Sequence, residues 1–236
     1  MKKKIMASLL VGSAVVGASL APLSAQAVTT GNTPVQVEFG GGTLPDVGGD
    51  PNTVRPDPGA TNSNFDLLFI PREYDFGKLS ISDDLTKPIP NKSDIVNRGN
   101  SERVGVGDLR GTKEGWHLTA QSSGLTQGSE NLQGIISVRQ MASFVLKYEE
   151  TTNEFTFGAG GSTLETSPTI PISDNWTMDL GGDAKLLANA TAGNGQGLWG
   201  ILMLNPALTI TTPAYNIKAG AYTGNITWNL VAGPSI

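Results

Sequence analysis

His117 is the one histidine of this 236-residue chain, and there is no cysteine. Those two counts bound the chemistry. A serine-histidine-aspartate relay would have to route through His117, and no Gly-x-Ser-x-Gly turn presents a nucleophile to it. Zinc hydrolysis lacks the His-Glu-x-x-His ligand pair, and thiolate metal sites, disulfides and cysteine nucleophiles are excluded together. Asp83-Asp84 and Glu149-Glu150 are adjacent pairs, and neighbours on a strand face opposite ways, so neither makes a natural acid-base dyad. A glycosidase assembled from distant carboxylates is left open. Gly158-Ala159-Gly160-Gly161 lacks the helix and the lysine of a phosphate loop and reads as a hairpin turn. No cofactor or metal site is expected. What remains is binding chemistry.

The candidates for binding come from a tripeptide pattern that occurs twice, Trp116-His117-Leu118 and Trp228-Asn229-Leu230. Each copy lies in strict alternation, clearest from Tyr222 to Leu230, and a strand of period two sends Trp and Leu to one face and the middle residue to the other. Trp116, Leu118, Trp228 and Leu230 are therefore expected to point inward, as core or as ligand contacts, on two strands that lie close in one sheet or face each other across one core. His117 and Asn229 fall on the opposite face, as candidate glycan contacts. Trp176, flanked by Ser173-Asp174-Asn175 and Thr177, is the more exposed-looking ring on which a sugar could stack.

The elements that must position these residues are short strands. Residues 28–63 are crowded with Gly40-Gly41-Gly42, Gly48-Gly49, Pro45, Pro51, Pro56 and Pro58, and only Val35 to Phe39 has strand character, so the segment reads as one edge strand and a tether. The domain proper opens at Phe65 to Ile70, with a further strand at Lys78 to Ile81 and a polar surface loop from Ser82 to Ser101. Strand-forming runs then recur at Gly134–Val138, Ser143–Tyr148, Glu154–Phe157, Trp176–Leu180 and, apolar on both faces, Gly197–Leu204. Asp183 to Thr191 alone is rich in helix formers. The fold class is all-β, a single sandwich or barrel-like domain of many short strands.

The first residues add an address. Lys2, Lys3 and Lys4 precede an apolar run from Ile5 to Leu23 and the small-residue site Ala25-Gln26-Ala27, the pattern of a secretory signal peptide covering residues 1–27 and cleaved after Ala27. Its removal takes three of 16 basic residues and leaves 13 against 21 acidic, a net charge of −8. Nothing in that balance suits nucleic acid.

The two tripeptides, the approach Asp108-Leu109-Arg110-Gly111-Thr112-Lys113-Glu114-Gly115, the turn Gly193-Asn194-Gly195-Gln196-Gly197-Leu198-Trp199 and the closing Ala219 to Leu230 resemble the WxL domain of Gram-positive surface proteins, over roughly residues 64–236. The resemblance implies a secreted, non-enzymatic protein of the cell wall and cell surface that attaches noncovalently to peptidoglycan. It implies companions too: a membrane-anchored WxL-interacting protein, other surface proteins, and adhesion to host matrix. The alternative it leaves is an adhesin or assembly partner that binds another protein rather than the wall. The chain shows no Leu-Pro-x-Thr-Gly sorting signal and no apolar tail before Ile236, so retention is expected to be noncovalent.

Overall fold

Alternating apolar and polar residues become strands almost throughout the computed structural model, which describes residues 33–45, 52–56, 64–92, 101–158, 167–169 and 174–235. The strands are β1 (Thr53–Val54), β2 (Phe65–Pro71), β3 (Ile89–Pro90), β4 (Ser101–Asp108), β5 (Trp116–Ser122), β6 (Leu125–Gln127), β7 (Glu130–Leu132), β8 (Gly134–Glu149), β9 (Glu154–Phe157), β10 (Asp174–Asp179), β11 (Lys185–Ala190), β12 (Gly197–Ile210) and β13 (Ile226–Ala232), with one 3-10 turn at Ala214–Asn216. The chain divides into two units, residues 1–38 and 39–236. Of the first, residues 33–38 are described; they are exposed and form no strand.

In the second unit one large antiparallel sheet runs in the order β1-β2-β4-β12-β8-β10, with β3 on β12 and β9 on β8, and a separate three-stranded sheet runs β11-β5-β13. The long apolar β12 lies between β4 and β8, as a run without a polar face requires. Its Trp199, Ile201 and Met203 meet Trp116, Leu118 and Ala120 of β5 and Trp176 and Met178 of β10 in a single core cluster. A smaller cluster forms from Leu44, Leu68, Phe69 and Leu146. There Gly105 and Gly107 leave room that a Cβ would take from the Phe69 ring and the Leu44 side chain.

Four expectations need correction. Asp183–Thr191 is not helical: Lys185–Ala190 pairs with β5, because burial of Leu187, Ala188 and Ala190 outweighs propensity differences of a few tenths of a kcal/mol per residue. The runs Gly134–Val138 and Ser143–Tyr148 are halves of one 16-residue strand, β8, whose register shifts against β12 let it continue past the polar Arg139 and Gln140. Lys78–Ile81 is irregular rather than a strand, and Val35–Phe39 forms no strand. The expected signal peptide and most of the expected Gly158–Gly161 turn lie outside the described residues.

Candidate functional site

The two Trp-x-Leu strands are hydrogen-bonded neighbours: β13 pairs antiparallel with β5, with Trp116 opposite Ala232, Leu118 opposite Leu230 and Ala120 opposite Trp228. That is the expected proximity, in its closest form. Their burial differs. Trp116 and Leu118 are fully buried, whereas Trp228 and Leu230 are half-buried, packed against the core cluster from its margin.

The flanks of the first tripeptide explain its enclosure. Trp116 donates its indole N–H to the carbonyl of Gly195 at 2.9 Å, so the Gly193–Trp199 turn is a lid over that ring. Gly195 has φ +78°, and a Cβ there would overlap Ala190 and the Trp116 indole nitrogen, so glycine is required twice over. On the other side, Arg110 grips Asp108 in a two-pronged pair, Nε to Oδ1 and Nη2 to Oδ2, both 2.8 Å. It also donates to the Gly115 carbonyl at 3.0 Å and to Glu114, and lies over the Phe65 ring at 3.8 Å. Asp108 is 1% exposed and Arg110 10%. The hydrogen bonds with Asp108, more than the opposing desolvation, raise the Arg110 pKa above its ordinary value. A charge so enclosed is tolerated because geometry and hydrogen bonds satisfy it. The charged approach seen in the sequence is thus an internal brace that sets where β5 begins.

Trp228 opens onto something else. With Ile226 it lines a cavity of about 1360 Å³ whose walls are the 70–81 segment, Leu125, Leu132, Ile136, Leu208, Ile210 and the 217–225 segment. Tyr74 lines it as well. Its ring is half-buried, but its hydroxyl turns inward to lie 3.8 Å from Met203 Sδ. Burial of that hydroxyl, and secondarily the Glu102 carboxylate, pushes its pKa well above the tyrosine range.

The outward face of the β11-β5-β13 sheet carries mostly polar residues at its centre. Cross-strand rungs place Thr227 beside Gln121, Asn229 beside Thr119, and His117 between Val231 and Asn189. Gln121, Thr227 and Asn229 are exposed; His117 and Thr119 are half-buried. His117 Nδ1 is 2.9 Å from the Gly233 carbonyl, and since a carbonyl only accepts, Nδ1 carries the proton and Nε2 is left to face away. The result is an array of amides, hydroxyls and one imidazole, with the half-buried Val231 beside His117 and Leu186 beside Thr119.

The remaining sequence candidates are dispersed. Trp176 is corrected: it is 2% exposed within the core, because Asn175 and Thr177 take the outer face of β10 while Trp176 and Met178 take the inner. The ring that alternation could not single out is Tyr215, 86% exposed on the 3-10 turn. Only the Pro213 ahead of it and Asn216 after it mark that turn in the sequence. Asp84 accepts from Thr86 and Lys87, and Glu149 from Lys147 and Thr151; in both the hydrogen bonds lower the pKa. These are ordinary surface carboxylates. Among the described residues no group of three or more His, Asp or Glu could hold a metal ion.

An all-β binding scaffold built on paired Trp-x-Leu strands defines a class, and the comparison with protein families gives the family. Residues 26–234 match the WxL domain, described as surface cell wall-binding, and this chain belongs to that family. It is a protein of the cell surface, attached to the cell wall. No curated protein and no solved structure matches the chain. The family match begins well before Phe65, and the fold accounts for part of that span: Leu44 is buried in the second core cluster and β1 pairs with β2.

Proposed function

We propose that the protein is a secreted, non-enzymatic surface protein held noncovalently on peptidoglycan, and that the outward face of the β11-β5-β13 sheet makes the contact. The observation that carries this reading is the placement of His117, Thr119, Asn229 and Gln121 as adjacent hydrogen-bonding groups on the very strands that define the family. Glycan hydroxyls and stem-peptide amides are the wall groups that such an array matches. With a net charge of −8 after cleavage at Ala27, attraction to anionic wall polymers supplies no driving force, so binding persists as the Debye length falls from about 10 Å at 0.1 M to about 3 Å at 1 M salt.

The test is sedimentation of the purified chain with sacculi stripped of protein and teichoic acid, at low and high salt. The native chain is expected in the pellet at both, with no soluble muropeptides released. A His117→Ala, Asn229→Ala double variant is expected in the supernatant while melting close to the native temperature. A chain that stays in the supernatant unless a companion surface protein is present would replace this reading with the partner-binding alternative.

A further inference from the structure

Asn194-Gly195 is the one Asn-Gly pair in the chain, and it lies in the turn that closes over Trp116. The pair has a chemistry of its own. The main-chain nitrogen that follows an asparagine can attack that asparagine's side-chain carboxamide, and in most sequences a Cβ on the following residue obstructs the approach. Glycine has no Cβ, and its backbone is free to follow the ring that forms.

The turn leaves the reacting groups available. Gly193 donates its N–H to the Lys113 carbonyl at 2.8 Å and Asn194 donates its own to the Thr191 carbonyl at 2.9 Å, so both residues ahead of the pair's junction are held. The Gly195 N–H, which would be the nucleophile, has no acceptor among the described residues. Ladder bonds that would tie up an amide begin only at Gly197, with β12. Asn194 is half-buried, so water reaches it. Its Nδ2 lies 2.7 Å from the Thr191 hydroxyl, which is placed to protonate that nitrogen as it leaves. The same turn also supplies two indole acceptors, the Gly195 carbonyl for Trp116 at 2.9 Å and the Gln196 carbonyl for Trp199 at 3.3 Å. Both rings are buried in the core.

We propose that Asn194 is a self-modification site whose slow conversion to isoaspartate releases the lid over Trp116. The Gly195 nitrogen attacks Asn194 Cγ; a C–N bond forms as the C–NH2 bond breaks, and ammonia leaves in place of the proton that the Gly195 amide gives up. Solvent water then opens the succinimide at either carbonyl. One product is aspartate, and the other is isoaspartate, in which the main chain runs through the former side chain. The isoaspartyl link adds a methylene to the main chain just ahead of Gly195. That residue fits so closely against Ala190 and the Trp116 indole that a single Cβ would overlap both, so the turn has no slack to absorb the extra length. Both carbonyls then lose their aim at the indole N–H groups. No reagent but water is needed, and the step is not reversed by hydrolysis, so the open fraction grows with the age of the molecule. This inference is independent of the wall-contact face.

The test is timed incubation of the purified folded chain in neutral and mildly alkaline buffer, with a synthetic peptide of residues 190–199 alongside. The chain is expected to gain the mass difference between a carboxamide and a carboxylate, localised to Asn194 by peptide mapping, at a rate that rises in proportion to hydroxide. That rate is expected to stay within about tenfold of the peptide's, a barrier difference of at most about 1.4 kcal/mol. Isoaspartyl methyltransferase is expected to label the aged chain at residue 194. The labelled fraction is expected to melt below the fresh chain, with its tryptophan emission shifted to the red, and Asn194→Gln is expected to age without these changes. An Asn194 that stays unmodified while the peptide reacts to completion overturns the proposal. So does a modified chain that keeps the melting temperature and emission of the fresh one, or an emission shift that persists in Asn194→Gln.

Discussion

Leu118 and Leu230 stand directly opposite each other on neighbouring strands, and that one rung sets the two tryptophans apart. Trp116 falls two residues to one side of it, under the Gly195 lid; Trp228 falls two residues to the other, on the open cavity. Two copies of one motif are therefore not equivalent in the folded chain. One is sealed into the core and the other borders an aperture.

The inequality is measurable. Trp116→Ala is expected to cost about 3–5 kcal/mol, the range for deleting a fully buried large aromatic. Trp228→Ala is expected to cost about half of that, because part of its surface already contacts water. Urea denaturation of the two variants checks the order, and a Trp228→Ala loss equal to or above that of Trp116→Ala would contradict it.

Arg110 and Asp108 are expected to behave as a unit. Arg110→Met leaves a carboxylate that is 1% exposed without its cation, at about 3–5 kcal/mol. Arg110→Lys recovers little, because an ammonium cannot span both oxygens and the Gly115 carbonyl at once. Adding Asp108→Asn to Arg110→Met should restore part of the loss, and a double-mutant cycle with no coupling would show the brace to be idle.

Gly195→Ala probes the lid. A left-handed φ and a Cβ that overlaps Ala190 and the Trp116 nitrogen together predict a loss of about 2–3 kcal/mol. Because the displaced group accepts from the Trp116 indole, the emission spectrum is expected to change along with the melt. An unchanged spectrum and melting temperature would show that the turn yields without cost.

At high pH the inward Tyr74 hydroxyl becomes a liability. The unfolded chain releases this proton from about pH 10, while the folded chain holds it to a much higher pH. Protons are therefore lost first from the unfolded state, and stability, complete below pH 10, falls as pH rises above it. Tyr74→Phe should flatten the pH dependence of the urea midpoint between pH 9.5 and 11; a native slope that matches the variant's would refute the role.

Where a strand buries one face, alternation made it legible: β5 and β13 follow from the spacing of Trp116, Leu118, Trp228 and Leu230 alone. The same rule places Trp176 inward beside Met178, and the polar residues around it misled only because they share its strand, not its face. β11 was hidden because Lys185, Leu186 and Ala188 suit helices, and nothing within the segment tells of β5 alongside. Arg110 was visible as a charge in a turn, but its enclosure depends on Phe65 and Asp108, brought together by pairing between β2 and β4. The cavity depends on segments separated by well over a hundred residues, which no local pattern encodes.

That β5 pairs with β13 across this span has a kinetic side. β13 closes the sheet that the first tryptophan begins, and Trp116 meets Ala232 across 116 positions of sequence. Such long-range closure is slow to form, because loop entropy is lost before the contacts compensate for it. Until β13 docks, the edge of β5 that β11 does not cover stays open, so the seven residues of β13 act as a timing element of folding, and a nascent chain interrupted before Ile226 is a species prone to aggregate rather than to mature.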